Sequence, residues 1–96
     1  MAEYPLSNRA ASDLAEIADY TIEAFGMNQA RHYRDSLKQY FKMLASNPLA
    51  GRSAEHIDAN LRCFELQSHM VYYFAESDHL LVARILHKSM DVLRHF

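Results

Sequence analysis

The hydrophobic period of this chain changes once, near residue 60, and that change limits the folds open to it. Before it, two long segments repeat their apolar residues every three to four positions. After it come three short segments rich in Val, Ile, Leu, Tyr and Phe, separated by polar turns. The first pattern places a stripe along one side of a helix; the second belongs to strands, whose side chains alternate between faces. The expected class is α+β: a short N-terminal strand, a two-helix antiparallel hairpin, a three-stranded antiparallel meander and a short C-terminal helix.

Between Asn8 and Phe25 the stripe is Ala10, Leu14, Ile17, Ala18, Thr21 and Phe25, with Asp13, Glu16, Asp19 and Glu23 opposite it, toward solvent. Ser7 or Asn8 is the expected N-cap and Gly26 the C-terminal cap in the left-handed region. A second helix is expected after Asn28, burying Ala30, Tyr33, Leu37, Tyr40, Phe41 and Leu44. Asn47-Pro48 should end it, since a residue before proline is pushed out of the helical region. So short a connection makes the two helices a hairpin. Ahead of them, Glu3-Tyr4-Pro5-Leu6 reads as extended, with Pro5 at a strand end or on an unpaired side.

The strands are expected at Leu61–Leu66, Met70–Ala75 and Leu80–His87, with Pro48–Asn60 a long loop and Lys88–Phe96 the terminal helix. Val71, Tyr73 and Ala75 then share one face of the middle strand, and Met70, Tyr72 and Phe74 the other. In the last strand Leu80, Val82 and Leu86 lie with Arg84, and Leu81, Ala83, Ile85 and His87 lie opposite. A sheet with one wet face would alternate apolar and polar residues, and this one does not. Two helices cover one face, so the other needs a second chain, or else the long loop and the tail fold across it.

With 96 residues the chain has room for one domain, taken as residues 1–96. Half the residues are hydrophobic and 23% charged, which suits a folded protein. Neither a membrane-length apolar run nor a signal-peptide core is present, and the single cysteine, Cys63, makes no internal disulfide; a cytoplasmic location is expected. The net charge of −2 weakens a nucleic-acid-binding role, which needs clustered Lys and Arg. The helices differ in sign: Asn8–Phe25 sets Arg9 against four acids, a balance of −3, whereas Asn28–Ser46 sets Arg31, Arg34, Lys38 and Lys42 against Asp35, a balance of +3. The basic stripe is either a solvated helix edge or a docking strip for an acidic partner.

For a metal-independent ribonuclease the candidates are Arg62, Arg84, His69 and His87, because cleavage needs a base, an acid and a cation within reach of one phosphate. The simplest pairing of the last hairpin brings His69 and His87 to one end of the sheet. Arg84 equally suits an inward salt bridge or a hydrogen bond to a loop carbonyl, and His87 a structural role. The six histidines form no i,i+4 helical pair and have no companion cysteines, so no metal or other cofactor is expected. Cys63 reads as a small core hydrophobe.

One set of landmarks is specific in combination. It comprises Leu6-Ser7-x-x-Ala10, Asp13-Leu14-x-x-Ile17-x-x-Tyr20, Asn47-Pro48-x-x-Gly51-Arg52, Leu61-Arg62, His69-x-Val71-x-Tyr73 and Arg84-Ile85-Leu86-His87-x-x-Met90-Asp91-x-x-x-His95-Phe96. In this order the chain resembles, over nearly its whole length, the ParE toxins of the RelE/ParE superfamily from bacterial type II toxin–antitoxin modules. The resemblance implies a non-catalytic poison of DNA gyrase neutralised by a ParD-like antitoxin. The alternative is a RelE-like ribosome-dependent mRNA endonuclease, a strongly basic group that this slightly acidic chain departs from. The expected gyrase-facing residues are Arg62, Arg84, His87, Met90, Asp91, Arg94, His95 and Phe96. The antitoxin is expected on the free sheet face and beside the helices, at Tyr40, Phe41, Met70, Tyr72, Phe74, Arg31, Arg34 and Lys38. No direct nucleic-acid or membrane contact is expected.

Overall fold

Ser7 starts the first helix, its hydroxyl accepting the Ala10 N–H at 3.0 Å. In the computed structural model, which describes residues 4–96, helix α1 spans Asn8–Phe25 and helix α2 spans Met27–Ser46. Gly26 alone separates them. Its φ of 89° and ψ of 169° lie outside the left-handed helical well expected for it, in a region essentially confined to glycine. Its N–H bonds Ile22 O and its carbonyl accepts from Ala30, so one residue closes α1 and opens α2. Asn28 therefore lies inside α2 and caps nothing. The helices form the expected hairpin, with Ala30, Leu37, Phe41 and Leu44 buried on α2.

The sheet has four strands rather than three. Strand β1 is Arg52–Ser53, β2 Leu61–Leu66, β3 His69–Ala75 and β4 Leu80–His87, in the order β1-β2-β3-β4 and antiparallel throughout. Two residues within the segment expected to be all loop thus pair with Cys63 and Arg62. No period of two is visible in a two-residue strand. The Asn-Pro-x-x-Gly landmark has a packing cause just before it. The buried Tyr73 hydroxyl donates to Pro48 O at 2.7 Å and accepts from Gly51 N–H at 2.9 Å. A Cβ at residue 51 would stand 2.3 Å from that hydroxyl, so only glycine fits.

The last strand changes face midway. Tyr72 pairs with Arg84 but Tyr73 pairs with Val82, leaving Ala83 as the extra residue of a β-bulge. Beyond the bulge the expected faces exchange: Ile85 joins Leu80 and Val82 against the helices, and Leu86 joins the opposite cluster. The same extra residue sets His87 directly across from His69. The outer edge of β4 is occupied by the N-terminal segment. Leu6 makes a parallel bridge to Val82, Ser7 N–H bonds Val82 O, Val82 N–H bonds Pro5 O, and the Ser7 hydroxyl bonds Ala83 O. The N-terminal strand is therefore a single bridge; Glu3 lies outside the described residues.

Both sheet faces are covered by this chain. Against the helices lie Leu66, Val71, Tyr73, Leu80, Val82 and Ile85, packed with Leu37, Phe41 and Leu44. On the other face Leu61, Cys63, Tyr72 and Leu86 are buried beneath Ala54 and Ile57 of the loop and Val92 of the tail. The Phe96 ring lies edge-on to Tyr72 at 5.3 Å. The expectation that this face needs a second chain is thereby corrected. The loop and tail provide the cover, although Met70, Phe74 and Ala83 stay only half-buried. The tail holds a short 3-10 turn, Val92–His95, in place of a longer helix.

Candidate functional site

Arg84 ties three elements together. Its Nε and Nη2 bond the two carboxylate oxygens of Asp13 on α1, both at 2.8 Å, and its Nη1 donates to His95 O at 2.8 Å. Asp13 Oδ2 also accepts the Ile85 N–H at 3.0 Å, satisfying the strand edge beyond the bulge. Asp13, expected on the wet side of α1, is only 8% exposed because this fork draws it inward. The hydrogen bond to Asp13 raises the Arg84 pKa still further above its ordinary range. Of the two readings open for Arg84, the structure thus adopts the inward ion pair, together with a bond to a backbone carbonyl in the tail.

The expected gyrase-facing residues divide. Arg84, His95 and Phe96 meet where the tail folds back, and Met90, Asp91 and Arg94 lie exposed along the same segment. Asp91 caps the final turn by accepting Leu93 N–H. His87 ends β4, its Nδ1 bonded to the Ser89 hydroxyl and backbone N–H. Arg62 is elsewhere. It lies two strands away from β4 (roughly 10 Å at ~4.8 Å per strand) and donates through Nη2 to the carbonyls of Leu49 and Gly51. Its Nε is buried without a partner.

The expected antitoxin-facing residues divide as well. Phe41 is 1% exposed and packs with Tyr4 in the main core, so it presents no surface; the α2 stripe turns it toward the sheet. Tyr72 is 7% exposed under Phe96, and burial raises its pKa. Met70 and Phe74 show part of their surface, and Tyr40 is exposed beside Phe64. Arg31, Arg34 and Lys38 form an open strip along α2, and Arg34 reaches no closer than 3.7 Å to Asp35.

Sequence reading missed a groove of about 690 Å³ between α1, the start of α2, the β2–β3 turn and the end of β4. Glu16, Ile17, Tyr20 and Phe25 form one wall, with Tyr33, His69, His87 and Met90 among the other residues lining it. His69 Nδ1 is hydrogen-bonded to Tyr33 Oη, and the two imidazole rings stand 5.4 Å apart. Burial, and secondarily the neighbouring His87, lowers the His69 pKa, while burial raises that of Tyr33. No arginine joins the histidines. Arg84 is bound to Asp13, and Arg62 pairs with Tyr73, four positions along the sheet from the His69 pairing (roughly 13 Å at ~3.3 Å per residue). Phe25 was expected to be buried, but the chain bends away at Gly26 and leaves it 66% exposed. Among the described residues, no three His, Cys, Asp or Glu side chains gather to hold a metal ion.

A helical hairpin on a bulged four-stranded sheet, with the tail strapped across the far face, is a small α+β fold of the RelE/ParE type. The family model for the ParE toxin of the parDE type II toxin–antitoxin system matches residues 4–92, and the chain belongs to that family. It is 34% identical to Toxin ParE1 of Caulobacter vibrioides over 95 residues, covering 99% of this chain and 98% of that one. Toxin ParE1 of Mycobacterium tuberculosis is also 34% identical over 95 residues, covering 98% and 97%. The fold matches a solved structure described as the chromosomal ParDE TA system from P. aeruginosa, with a TM-score of 0.77 and 22% identity over 91% of this chain and 96% of that one. No described helix is long and apolar enough to cross a membrane.

Proposed function

We propose that this ParE-family toxin acts in the cytoplasm by binding DNA gyrase and is neutralised by a ParD-like antitoxin. The observation that carries a binding role, rather than catalysis, is the commitment of both candidate arginines to bonds within the chain. Arg84 holds Asp13 and the tail, and Arg62 holds the loop after α2. A phosphodiester at the histidine pair would meet the Glu16 wall and no lining Lys or Arg among the described residues, and Lys88, next to His87, is paired with Glu65. The tail instead offers Met90, Leu93 and Arg94 to solvent on a base pinned by Arg84, a composition that suits a protein interface. The antitoxin surfaces are the basic strip of Arg31, Arg34 and Lys38 with Tyr40 on α2 and, separately on the opposite sheet face, the half-covered Met70 and Phe74.

The test uses purified gyrase and the purified chain. Loss of supercoiling, or accumulation of cleaved DNA, is the expected result. It should weaken at least severalfold in a Met90→Ala, Arg94→Ala double variant and vanish on adding the antitoxin encoded beside the toxin. Unchanged gyrase activity at saturating toxin would overturn the reading. The pairing of His69 with His87 keeps a second one open, a RelE-like mRNA endonuclease. That reading requires ribosome-dependent cleavage lost in His69→Ala, with gyrase untouched.

A further inference from the structure

His69 and His87 stand directly opposite each other across β3 and β4. Just beyond them the Lys88 N–H bonds Ser68 O at 2.9 Å, which makes theirs a position where the two residues exchange no backbone hydrogen bond. Side chains approach closest at such positions, with Cα atoms about 4.5 Å apart against about 5.5 Å at the hydrogen-bonded ones. The imidazole centres lie 5.4 Å apart, with the rings nearly perpendicular at 86°. Two imidazoles sharing one ion, each through a nitrogen at about 2.1 Å, bring their ring centres to roughly 5 Å. The observed spacing is close to that value. Each ring is also held from its Nδ1 side, His69 by the Tyr33 hydroxyl and His87 by Ser89, whose Oγ is 2.7 Å away and whose N–H is 3.1 Å away. Histidines that ligate metals are oriented in this way, by a partner on the second ring nitrogen.

We propose that His69 and His87 chelate one divalent transition-metal ion, of the Zn²⁺, Ni²⁺ or Cu²⁺ kind, through both Nε2 atoms, with water in the remaining positions. Imidazole suits these ions, whereas Mg²⁺ and Ca²⁺ take oxygen ligands. Both rings line the groove of about 690 Å³, which admits an ion with its water, and Glu16 in the same lining adds negative charge. Lys88, the cation next to His87, is paired with Glu65. When the ion binds, each imidazole keeps its one proton on Nδ1. His69 donates that proton to Tyr33 Oη, and His87 donates it to Ser89 Oγ in exchange for the longer amide bond. The sequence pattern that predicts no metal was the lack of a helical i,i+4 pair and of cysteines. Opposed positions on two strands bring side chains as near as i and i+4 do on a helix. With two protein ligands the site is open, unlike the four-ligand sites that build a fold. A bound ion ties the β2–β3 turn to the end of β4. This inference does not depend on gyrase being the target.

The test is calorimetric titration of the full chain, free of any affinity tag, with Zn²⁺ and separately with Mg²⁺ at neutral pH. One Zn²⁺ per chain is expected to bind and Mg²⁺ is not. His69→Gln and His87→Gln should each abolish the binding. Tyr33→Phe removes only the partner that orients His69 and should weaken it about tenfold. His79→Gln serves as the control, because His79 lies at the other end of the hairpin, bonded to Asp78, and its loss should leave Zn²⁺ binding unchanged. Nitrogen resonances of the two rings should shift at Nε2 when Zn²⁺ is added. Circular dichroism checks that each variant is folded. No binding of Zn²⁺, equal binding of Mg²⁺, binding retained when both His69 and His87 are replaced, or an equal loss in His79→Gln would overturn the proposal. So would a shift confined to one of the two rings.

Discussion

The two faces of the sheet are closed by different means. One is covered by two long helices whose stripes supply Leu37, Phe41 and Leu44, and nearly all the fully buried large side chains lie there. The other is covered by a loop and a tail that contribute Ala54, Ile57, Val92 and Phe96 and leave Met70 and Phe74 partly open. A helix meets its own backbone hydrogen bonds and brings a whole face of side chains at once. An irregular segment must be tied down point by point. The first cover therefore carries most of the core, while the second closes the far face with fewer large buried side chains.

This contrast gives four expectations. Phe41→Ala should cost about 3–5 kcal/mol, lowering the urea midpoint with little change in its slope; a cost near that of a surface substitution would erase the distinction between the covers. Asp13→Ala removes a pin common to both, leaving Arg84 and the Ile85 N–H without their partner. A loss of about 3 kcal/mol is expected, together with faster amide exchange through Val92–His95, and an unchanged tail would show that the His95 bond does not need Asp13. Phe96→Ala should cost only about 1 kcal/mol, because the residue is 41% exposed where it meets the Tyr72 ring. It should nevertheless raise exchange near Tyr72 and increase binding of a hydrophobic dye. The smallest effect concerns pH. The folded His69 holds its proton less firmly than the unfolded one, whose ordinary pKa is 6.5, so the unfolded chain binds more protons just below that value. Stability should fall as pH drops from 7 through 6.5 and below, and a His69→Gln variant should lose that part of the slope.

The helical stripes, Gly26 as a chain reversal, the break at Asn47-Pro48 and the three principal strands were all legible from local pattern, because each depends on neighbours a few residues away. The family landmarks were legible too, and the structure shows why one of them exists: Gly51 leaves room for the Tyr73 hydroxyl. The groove was less legible. Phe25 read as a member of the buried stripe and Tyr20 only as one of the family landmarks, and nothing in their spacing marks a groove. The spacing Asp13-x-x-Glu16-x-x-x-Tyr20 on one side of α1 was the available signal for a mixed acidic and aromatic wall.

Hydrophobic period, caps and turn residues by themselves determined the class of fold, the helical hairpin and the order of the long strands, since these follow from conformational preferences of adjacent residues. Only the tertiary structure decided that Ala83 bulges, that Asp13 turns inward to meet Arg84 across 71 positions, and that the tail closes the far face. Those outcomes rest on satisfying charges and strand edges that meet only after the chain has folded, and no periodicity along the sequence records such meetings.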